Sequence, residues 1–398
     1  MHPADEIRGV KSKKLSEKRI VLAVTGSIAA VETVKLSREL IRQGAEVFPI
    51  MSPSATKIIH PDALWFATGN KPIVELTGAT EHVSFCGLVE KPADILLISP
   101  CTANTISKIA RGIDDTVVTT FATTAIGSGV PILIVPAMHL SMYDHKIVQR
   151  NIENLKKNGI KFIEPTLEKN KAKMAELDEI VAYVIREIGK NDLKGSKILI
   201  IGGPTSEPID DVRVVTNKSS GKTAVKLAVN AFYRGADVEI LYGSGTESVP
   251  DYIKTFRFES INDILKILKS KNMRKFDAII VCAAISDYVL KKQRGKIPSG
   301  KEKLLLELTP APKIISVLRK KNTKAKLIAF KVEKNTDTLH ERSFDLLKKN
   351  KLDFVVGNTI SGFSSDENEI WIVDKKGKSV HKKGSKNQLA DDILNLIK

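Results

Sequence analysis

From Arg19 the chain opens on an unbroken apolar run, Ile20-Val21-Leu22-Ala23-Val24, that stops at Thr25-Gly26-Ser27. Past that turn the apolar positions change to helical spacing, through Val34, Leu36 and Leu40 as far as Gly44. A run without polar alternation is a strand buried on both faces, and a glycine after the last periodic residue ends a helix. The alternation continues with predicted strands at Val47–Met51, Ile95–Ser99 and Ile132–Val135. Helices are predicted around Ala55–Ile59, Pro61–Thr68, Asn104–Ala110, Val117–Ile126 and Lys146–Asn158. Continuously apolar strands separated by helices make a parallel sheet covered on both faces.

At Lys190-Asn191-Asp192-Leu193-Lys194-Gly195 the periodicity lapses into a polar link, and Ile198-Leu199-Ile200-Ile201 then opens a second series at Gly202-Gly203. Its predicted strands are Val238–Leu241, Ala278–Cys282, Leu327–Phe330 and Phe354–Gly357. Its predicted helices are Lys222–Tyr233, Ile261–Ser270, Lys313–Lys320 and Thr338–Asn350, followed by a two-stranded unit, Glu369–Val373 with Lys378–His381, and a last helix, Asn387–Ile397. The expected fold is α/β, with two doubly wound parallel-sheet domains at 19–190 and 197–398, a linker at 191–196 and a basic, disordered tail at 1–18. The two halves repeat an architecture without an internal sequence repeat.

Composition narrows the class. Hydrophobic residues make up 42% and charged ones 27%, as in a water-soluble globular protein. No apolar stretch approaches the roughly 18 residues of a membrane span, and the first 18 residues lack a signal-peptide core, so a cytoplasmic protein without a membrane partner is expected. Cys86, Cys101 and Cys282 stand far apart with no CxxC pair, which argues against a disulfide framework and a cysteine zinc site. The formal charge of +17 is compatible with nucleic acid, an anionic surface or small acidic substrates. The basic residues are scattered and lack interleaved aromatics, which disfavours nucleic acid.

In open parallel sheets, ligands bind at the carboxyl ends of strands, where loops and helix N-termini offer N–H groups to anions. Gly26-Ser27 and Gly202-Gly203-Pro204-Thr205 both follow such ends, although neither completes a dinucleotide fingerprint. Gly221-Lys222-Thr223 resembles the end of a phosphate-binding loop, but Thr216 stands where that motif needs its first glycine, which disfavours a Walker-type NTPase.

Several strings together are far more specific. Thr25-Gly26-Ser27-Ile28-Ala29-Ala30, Glu81-His82-Val83, Ser99-Pro100-Cys101-Thr102-Ala103-Asn104-Thr105 and Pro136-Ala137-Met138 with Met142 resemble, in order, the flavoproteins that decarboxylate peptidyl cysteine and 4′-phosphopantothenoylcysteine. Gly203-Pro204-Thr205-Ser206-Glu207-Pro208-Ile209-Asp210-Asp211-Val212-Arg213, Thr216-Asn217-Lys218-Ser219-Ser220-Gly221-Lys222 and Ala283-Ala284-Ile285-Ser286-Asp287-Tyr288 resemble phosphopantothenate–cysteine ligase. The pair on one chain is similar to the bifunctional enzymes of coenzyme A biosynthesis. That resemblance implies an N-terminal flavodoxin-like flavoprotein domain and a C-terminal Rossmann-like ligase domain.

For the first half it implies FMN, with the phosphate at Gly26, Ser27 and Ser52, the ring at Thr102 and Ala103, and a catalytic base at His82. A flavin supplies the electron sink that loss of CO₂ from a cysteine carboxylate requires. Two departures stand out. His139 occupies the place of the family's carboxylate-binding asparagine, beside the substrate residue Met142, and the stretch Pro165–Met174 has no counterpart of the family's proton-donating flap cysteine. Either Cys86, Cys101 or a flap lysine serves, or this half has become a flavin-binding regulator attached to a ligase.

For the second half the resemblance implies activation of 4′-phosphopantothenate by CTP as an acyl cytidylate, captured by cysteine. It places Asn217 at the acyl intermediate, Lys296 at the α-phosphate, and Ala283, Asp287, Thr309, Pro310, Ala311, Pro312, Phe330 and Lys349 around the nucleotide. Mg²⁺ is expected with the triphosphate, although no carboxylate cluster identifies a metal cage. A homo-oligomer of trimeric flavoprotein halves and dimeric ligase halves is also implied.

Overall fold

The computed structural model describes residues 2–300, 302–360 and 367–398. Contacts divide the chain into two units, Met1–Lys190 and Asn191–Lys398. No helix of the described residues is long and apolar enough to cross a membrane.

The first unit is built on a five-stranded sheet in the order Glu46–Met51, Arg19–Val24, Ile95–Cys101, Ile132–Pro136, Lys161–Phe162, all neighbours parallel. Arg19–Val24 lies inside the sheet, so the chain leaves it toward one edge and returns to its other side, and the loops after the first and third strands part above that point. Val21, Ala23, Leu96, Ile98 and Ile134 are fully buried on this sheet, packed against Phe121 and Ile152 from the covering helices. The helix Val117–Ser128 starts at a capping box between Thr116 and Thr119 and ends at Gly129 with φ +80.

Two features differ from the sequence reading, and a third lies in a stretch to which it assigned no element. Residues 2–18 are packed rather than a disordered tail: Ala4 and Leu15 are fully buried, and Arg8 Nη1 donates to Ala45 O at 2.6 Å. The segment is too short and polar to carry a periodic signal. Ala55–Ile59 forms turns, not a helix. Pro165–Met174 folds as a hairpin, Thr166–Glu168 with Lys171–Lys173, whose second strand pairs with Met138–His139.

The second unit carries an eight-stranded sheet in the order Lys254–Arg257, Asp237–Tyr242, Lys197–Gly202, Ala278–Val281, Lys326–Glu333, Phe354–Thr359, Glu367–Asp374, Ser379–Ser385. The first six run parallel, Glu367–Asp374 runs against them and Ser379–Ser385 pairs antiparallel with it, so the late two-stranded unit extends the main sheet. The direction of strand addition reverses between Lys197–Gly202 and Ala278–Val281. Leu199, Ile201, Ile279 and Leu318 are buried in its core, where truncating one leucine to alanine costs about 2–5 kcal/mol.

Candidate functional site

In the first unit the strand ends are tied together by Thr25. Its hydroxyl donates to Pro100 O at 2.8 Å and accepts from the Thr102 N–H at 3.0 Å, which joins the turn after the first strand to the cis Ser99-Pro100 loop. Gly26 packs so closely on Ser54 that an added Cβ would lie 2.4 Å from the Ser54 Cβ. Ser27 caps the short helix Ile28–Glu32, and Ser52 is buried with its Oγ accepting from Ala55 N at 3.3 Å. Thr102 caps the helix Ala103–Ala110.

Beside these turns is a cavity of about 690 Å³, within the range of small-molecule sites (roughly 300–1,000 Å³). Ser27, Ile28, Glu32, His139, Lys171 and Lys173 are among the residues lining it. Of the residues expected from sequence, the structure brings Ser27 and His139 into this cavity, while Gly26, Ser52, Thr102, Ala103, Met142 and His82 lie outside its lining. His139 and Lys171 are directly opposed across the antiparallel pair, so their side chains share a face. Lys173 pairs with Glu168 within the flap.

His82 stands on the helix Glu81–Cys86, its ring edge-on to Phe121 at 6.5 Å. Its Nδ1 is buried without a hydrogen-bond partner among the described residues. Such an atom has a cost unless a ligand or water satisfies it. Cys86 and Cys101 are fully buried, neither lines the cavity, and burial pushes the Cys86 thiol up to about 12 and raises that of Cys101 as well. A thiol so placed is a poor proton donor at neutral pH.

In the second unit a cavity of about 690 Å³ opens beyond the carboxyl ends of Ala278–Val281 and Lys326–Glu333. Asn217, Ala283, Asp287, Phe330 and Lys349 line it together, joined by Lys218, Lys313 and Lys331. Asn217 is held by its Nδ2, which donates to Ala284 O at 2.9 Å, and Asp287 pairs with Lys313. Thr309 and Pro310 belong to a short strand paired with Tyr288–Leu290, and Ala311 N donates to Asp287 O at 2.9 Å. Thr309, Pro310, Ala311, Pro312 and Lys296 are not in the cavity lining. Lys296 is exposed on a loop whose neighbours are gripped by Asp210 and Asp211.

Adjoining this cavity is a smaller one lined by Ser219, Ser220, Gly221, Lys222, Phe330, Asn358 and Lys386 among others. It sits at the N-terminus of the helix Lys222–Tyr233, where N–H groups and the helix dipole favour an anion. Asn358 is buried there with its Oδ1 unpartnered among the described residues. Sequence reasoning missed Lys313, Lys331, Asn358 and Lys386. Only the strand-end position of Lys331 and Asn358 could have signalled them. Among the described residues no group of His, Cys, Asp and Glu is arranged to hold a metal ion.

Residues 8–189 match the family model described as Flavoprotein, and residues 193–398 match the DNA/pantothenate metabolism flavoprotein C-terminal domain. The chain is 45% identical to the coenzyme A biosynthesis bifunctional protein CoaBC of Thermococcus kodakarensis, over 100% of this chain and 99% of the relative. It is 41% identical to the protein of the same name from Methanocaldococcus jannaschii, over 100% of this chain and 98% of that relative. A solved C-terminal domain of a coenzyme A biosynthesis bifunctional protein CoaBC is 29% identical, with a TM-score of 0.45, over 52% of this chain and 96% of that one.

Proposed function

The chain belongs to the CoaBC family of bifunctional coenzyme A biosynthesis enzymes, a decarboxylase and a ligase on one polypeptide, and from that premise we propose how its residues divide the work. The C-terminal unit joins 4′-phosphopantothenate to cysteine at the expense of CTP, through an acyl cytidylate. The N-terminal unit then decarboxylates the resulting 4′-phosphopantothenoylcysteine to 4′-phosphopantetheine. The observation that carries the ligase assignment is the convergence of Asn217, Ala283, Asp287, Phe330 and Lys349 on one cavity at the strand ends.

In that cavity Phe330 offers a face to the base, and Lys313, Lys331 and Lys349 neutralise the anionic substrates. The triphosphate extends toward the N-terminus of Lys222–Tyr233, where Ser219, Ser220 and the unmet Asn358 Oδ1 lie. That carbonyl oxygen is an acceptor, so it suits a ribose hydroxyl or a water rather than a phosphate oxygen. Lys296, on an exposed loop outside the lining of both cavities, is assigned by the family resemblance to the charge developing at the α-phosphate, and Asn217, in the cavity lining, to the acyl group. Mg²⁺ would enter with the triphosphate, since among the described residues no group of His, Cys, Asp and Glu is arranged to hold a metal ion by itself.

The decarboxylase unit fits FMN. Hydroxyls at Ser27 and Ser52 and the glycine turn at Gly26 suit a phosphate monoester, and one short turn suits a single phosphate better than a pyrophosphate. Bound flavin supplies the electron sink for loss of CO₂. His82 presents an unsatisfied ring nitrogen that can accept or deliver a proton, and His139 with Lys171 receives the substrate carboxylate. Exposed apolar residues that fall close together along the chain, Val83, Leu88 and Val89 in the first unit and Leu304, Leu305, Leu306 and Leu308 in the second, support a homo-oligomer in which each half meets its own kind.

The test is an absorbance spectrum of the purified protein, mass identification of the heat-released chromophore, and pyrophosphate release requiring CTP and phosphopantothenate. FMN and CTP-dependent pyrophosphate are expected. FAD, or pyrophosphate release indifferent to CTP, overturns the reading.

A further inference from the structure

The loop that carries Lys296 has almost no core of its own, since Lys291–Arg294 and Lys296 are exposed and Ile297 alone is buried. What fixes it is a short acidic turn at the tip of the hairpin Ser206–Pro208 with Val214–Thr216. Asp210 is 2% exposed and divides its two oxygens between two tasks. Its Oδ1 accepts from Val212 N at 2.8 Å and Arg213 N at 2.7 Å, which closes the hairpin tip. Its Oδ2 accepts from Ile297 N at 3.0 Å and from Arg213 Nη1 at 3.0 Å. Arg213 turns both Nη atoms to Ile297 O at 3.2 Å, so the peptide groups on either side of Ile297 are both held. One residue further out, Asp211 Oδ2 accepts from Gly295 N at 2.8 Å, Asp211 N donates to Gly295 O at 3.3 Å, and Lys292 pairs with Asp211 Oδ1 at 2.6 Å. Lys296 lies between the two grips.

The root of the same hairpin is equally fixed. Glu207 is buried and accepts from Ile261 N at 3.0 Å, and Thr216 Oγ1 donates to Thr205 O at 2.8 Å. The next residue is Asn217, itself bonded to Ala284 O. The hairpin is therefore a rigid arm with Asn217 at its base and the Lys296 loop at its tip. We propose that Asp210, seconded by Asp211 and Arg213, is a positioning residue of the ligase that sets Lys296 relative to Asn217. This rests on the reading of Lys296 given above.

Asp210 is held ionised by the same contacts. The Ile297 N–H foremost, then those of Val212 and Arg213 and the Arg213 charge, bring its carboxyl down to about 2. The clamp is thus intact throughout the neutral range, and a carboxamide cannot reproduce it, because an Nδ2 in place of Oδ2 neither accepts from Ile297 N nor pairs with Arg213. Loss of a preorganised loop is felt on turnover more than on ground-state binding.

The experiment is a double-mutant cycle on the full-length chain, reading CTP-dependent pyrophosphate release. Asp210→Asn is expected to lower ligase kcat by roughly 10- to 100-fold with a smaller change in KM for CTP, and to leave decarboxylation of supplied 4′-phosphopantothenoylcysteine unchanged. In a Lys296→Gln background the same substitution is expected to have no further effect, because there is no longer a lysine to place. Asp211→Asn, which loosens only the exposed outer grip, is the second variant and is expected to lower kcat several-fold with an unchanged melting temperature. Amide exchange at Gly295 and Ile297 should accelerate in both aspartate variants. If Asp210→Asn multiplies with Lys296→Gln, or turns over normally while Lys296→Gln does not, the positioning role is overturned. Wild-type turnover by Lys296→Gln instead removes the reading of Lys296 itself.

Discussion

Gly221→Ala is the substitution whose cost the structure defines best. Gly221 caps the helix Lys222–Tyr233 with φ +78, a left-handed conformation that costs a residue with a Cβ about 1–2 kcal/mol. The new Cβ would also lie 2.1 Å from the Tyr242 hydroxyl oxygen and 2.6 Å from its Cζ. Tyr242 cannot withdraw. It is fully buried, its hydroxyl lies 3.0 Å from Ser220 O and 2.9 Å from Glu247 O, and the Arg257 guanidinium sits over its ring at 5.0 Å. Forcing a methyl group into such a packed site costs about 1–3 kcal/mol more. The sum, about 2–5 kcal/mol, corresponds for a unit of this size to a melting temperature lowered by roughly 4–20 °C. Because Ser219 and Ser220 move with the cap, ligase activity should fall too, while CO₂ release from supplied substrate is retained. Calorimetry of the full chain with both assays measures this. Adding Tyr242→Phe should recover part of the loss, since the hydroxyl is the nearest obstacle. An unchanged melting temperature with normal ligase turnover in Gly221→Ala would refute the packing argument.

Glu239 is 2% exposed, and although burial opposes its charge, the ion pairs with Lys271, Lys275 and Lys254 prevail and bring its carboxyl from 4.5 down to about 2. Its contribution, about 3 kcal/mol, is present above pH 4.5 and is lost as the pH falls toward 2. Glu239→Gln should therefore lower the melting temperature at neutral pH and flatten its acid dependence; equal curves for the two proteins would contradict this. His82→Asn should abolish CO₂ release and leave ligase turnover intact, whereas joint loss with a lowered melting temperature would mark His82 as structural. Phe330→Ala should raise the KM for CTP by roughly 2- to 10-fold, the worth of one stacking contact, and an unaltered KM would exclude stacking. Cys86→Ala and Cys101→Ala should both still form phosphopantetheine, checked by mass spectrometry of the product; a variant that stops at the oxidised enethiol would identify its thiol as the donor after all.

The parallel strands were legible because each is an uninterrupted apolar run between helices, a pattern that burial on both faces imposes. Residues 2–18 were not, because Ala4 and Leu15 are two isolated apolar anchors eleven positions apart and Arg8 is held by a carbonyl that no composition reveals. The flap hairpin escaped for a related reason. Two of its strands, Thr166–Glu168 and Lys171–Lys173, bury only Ala172, so they have no alternation to read. In the ligase cavity, Asn217, Ala283, Asp287 and Phe330 were accessible through strings at strand ends. Lys313 and Lys331 sit among many other lysines, and only packing separates a cavity lysine from a solvated one. Asp210 stood in plain view within a quoted string, but its bonds reach Ile297, 87 residues along the chain, a pairing invisible to local reading.

The eight-stranded sheet also has to end, and among the described residues no further strand pairs with the outer edge of Lys254–Arg257 or of Ser379–Ser385, the kind of edge on which another chain can add a strand. At one margin Lys254 and Arg257 flank the last strand, and at the other, Ser379–Ser385 carries His381, Lys382 and Lys383 on a largely exposed ribbon. Lys254, His381 and Lys382 are matched by Glu239, Glu369 and Asp392, so what opposes a second chain at these margins is a row of hydrated charged side chains that would have to be desolvated before strands could pair. Acetylating those lysines, which leaves the backbone untouched, would turn a well-behaved margin into an adhesive one.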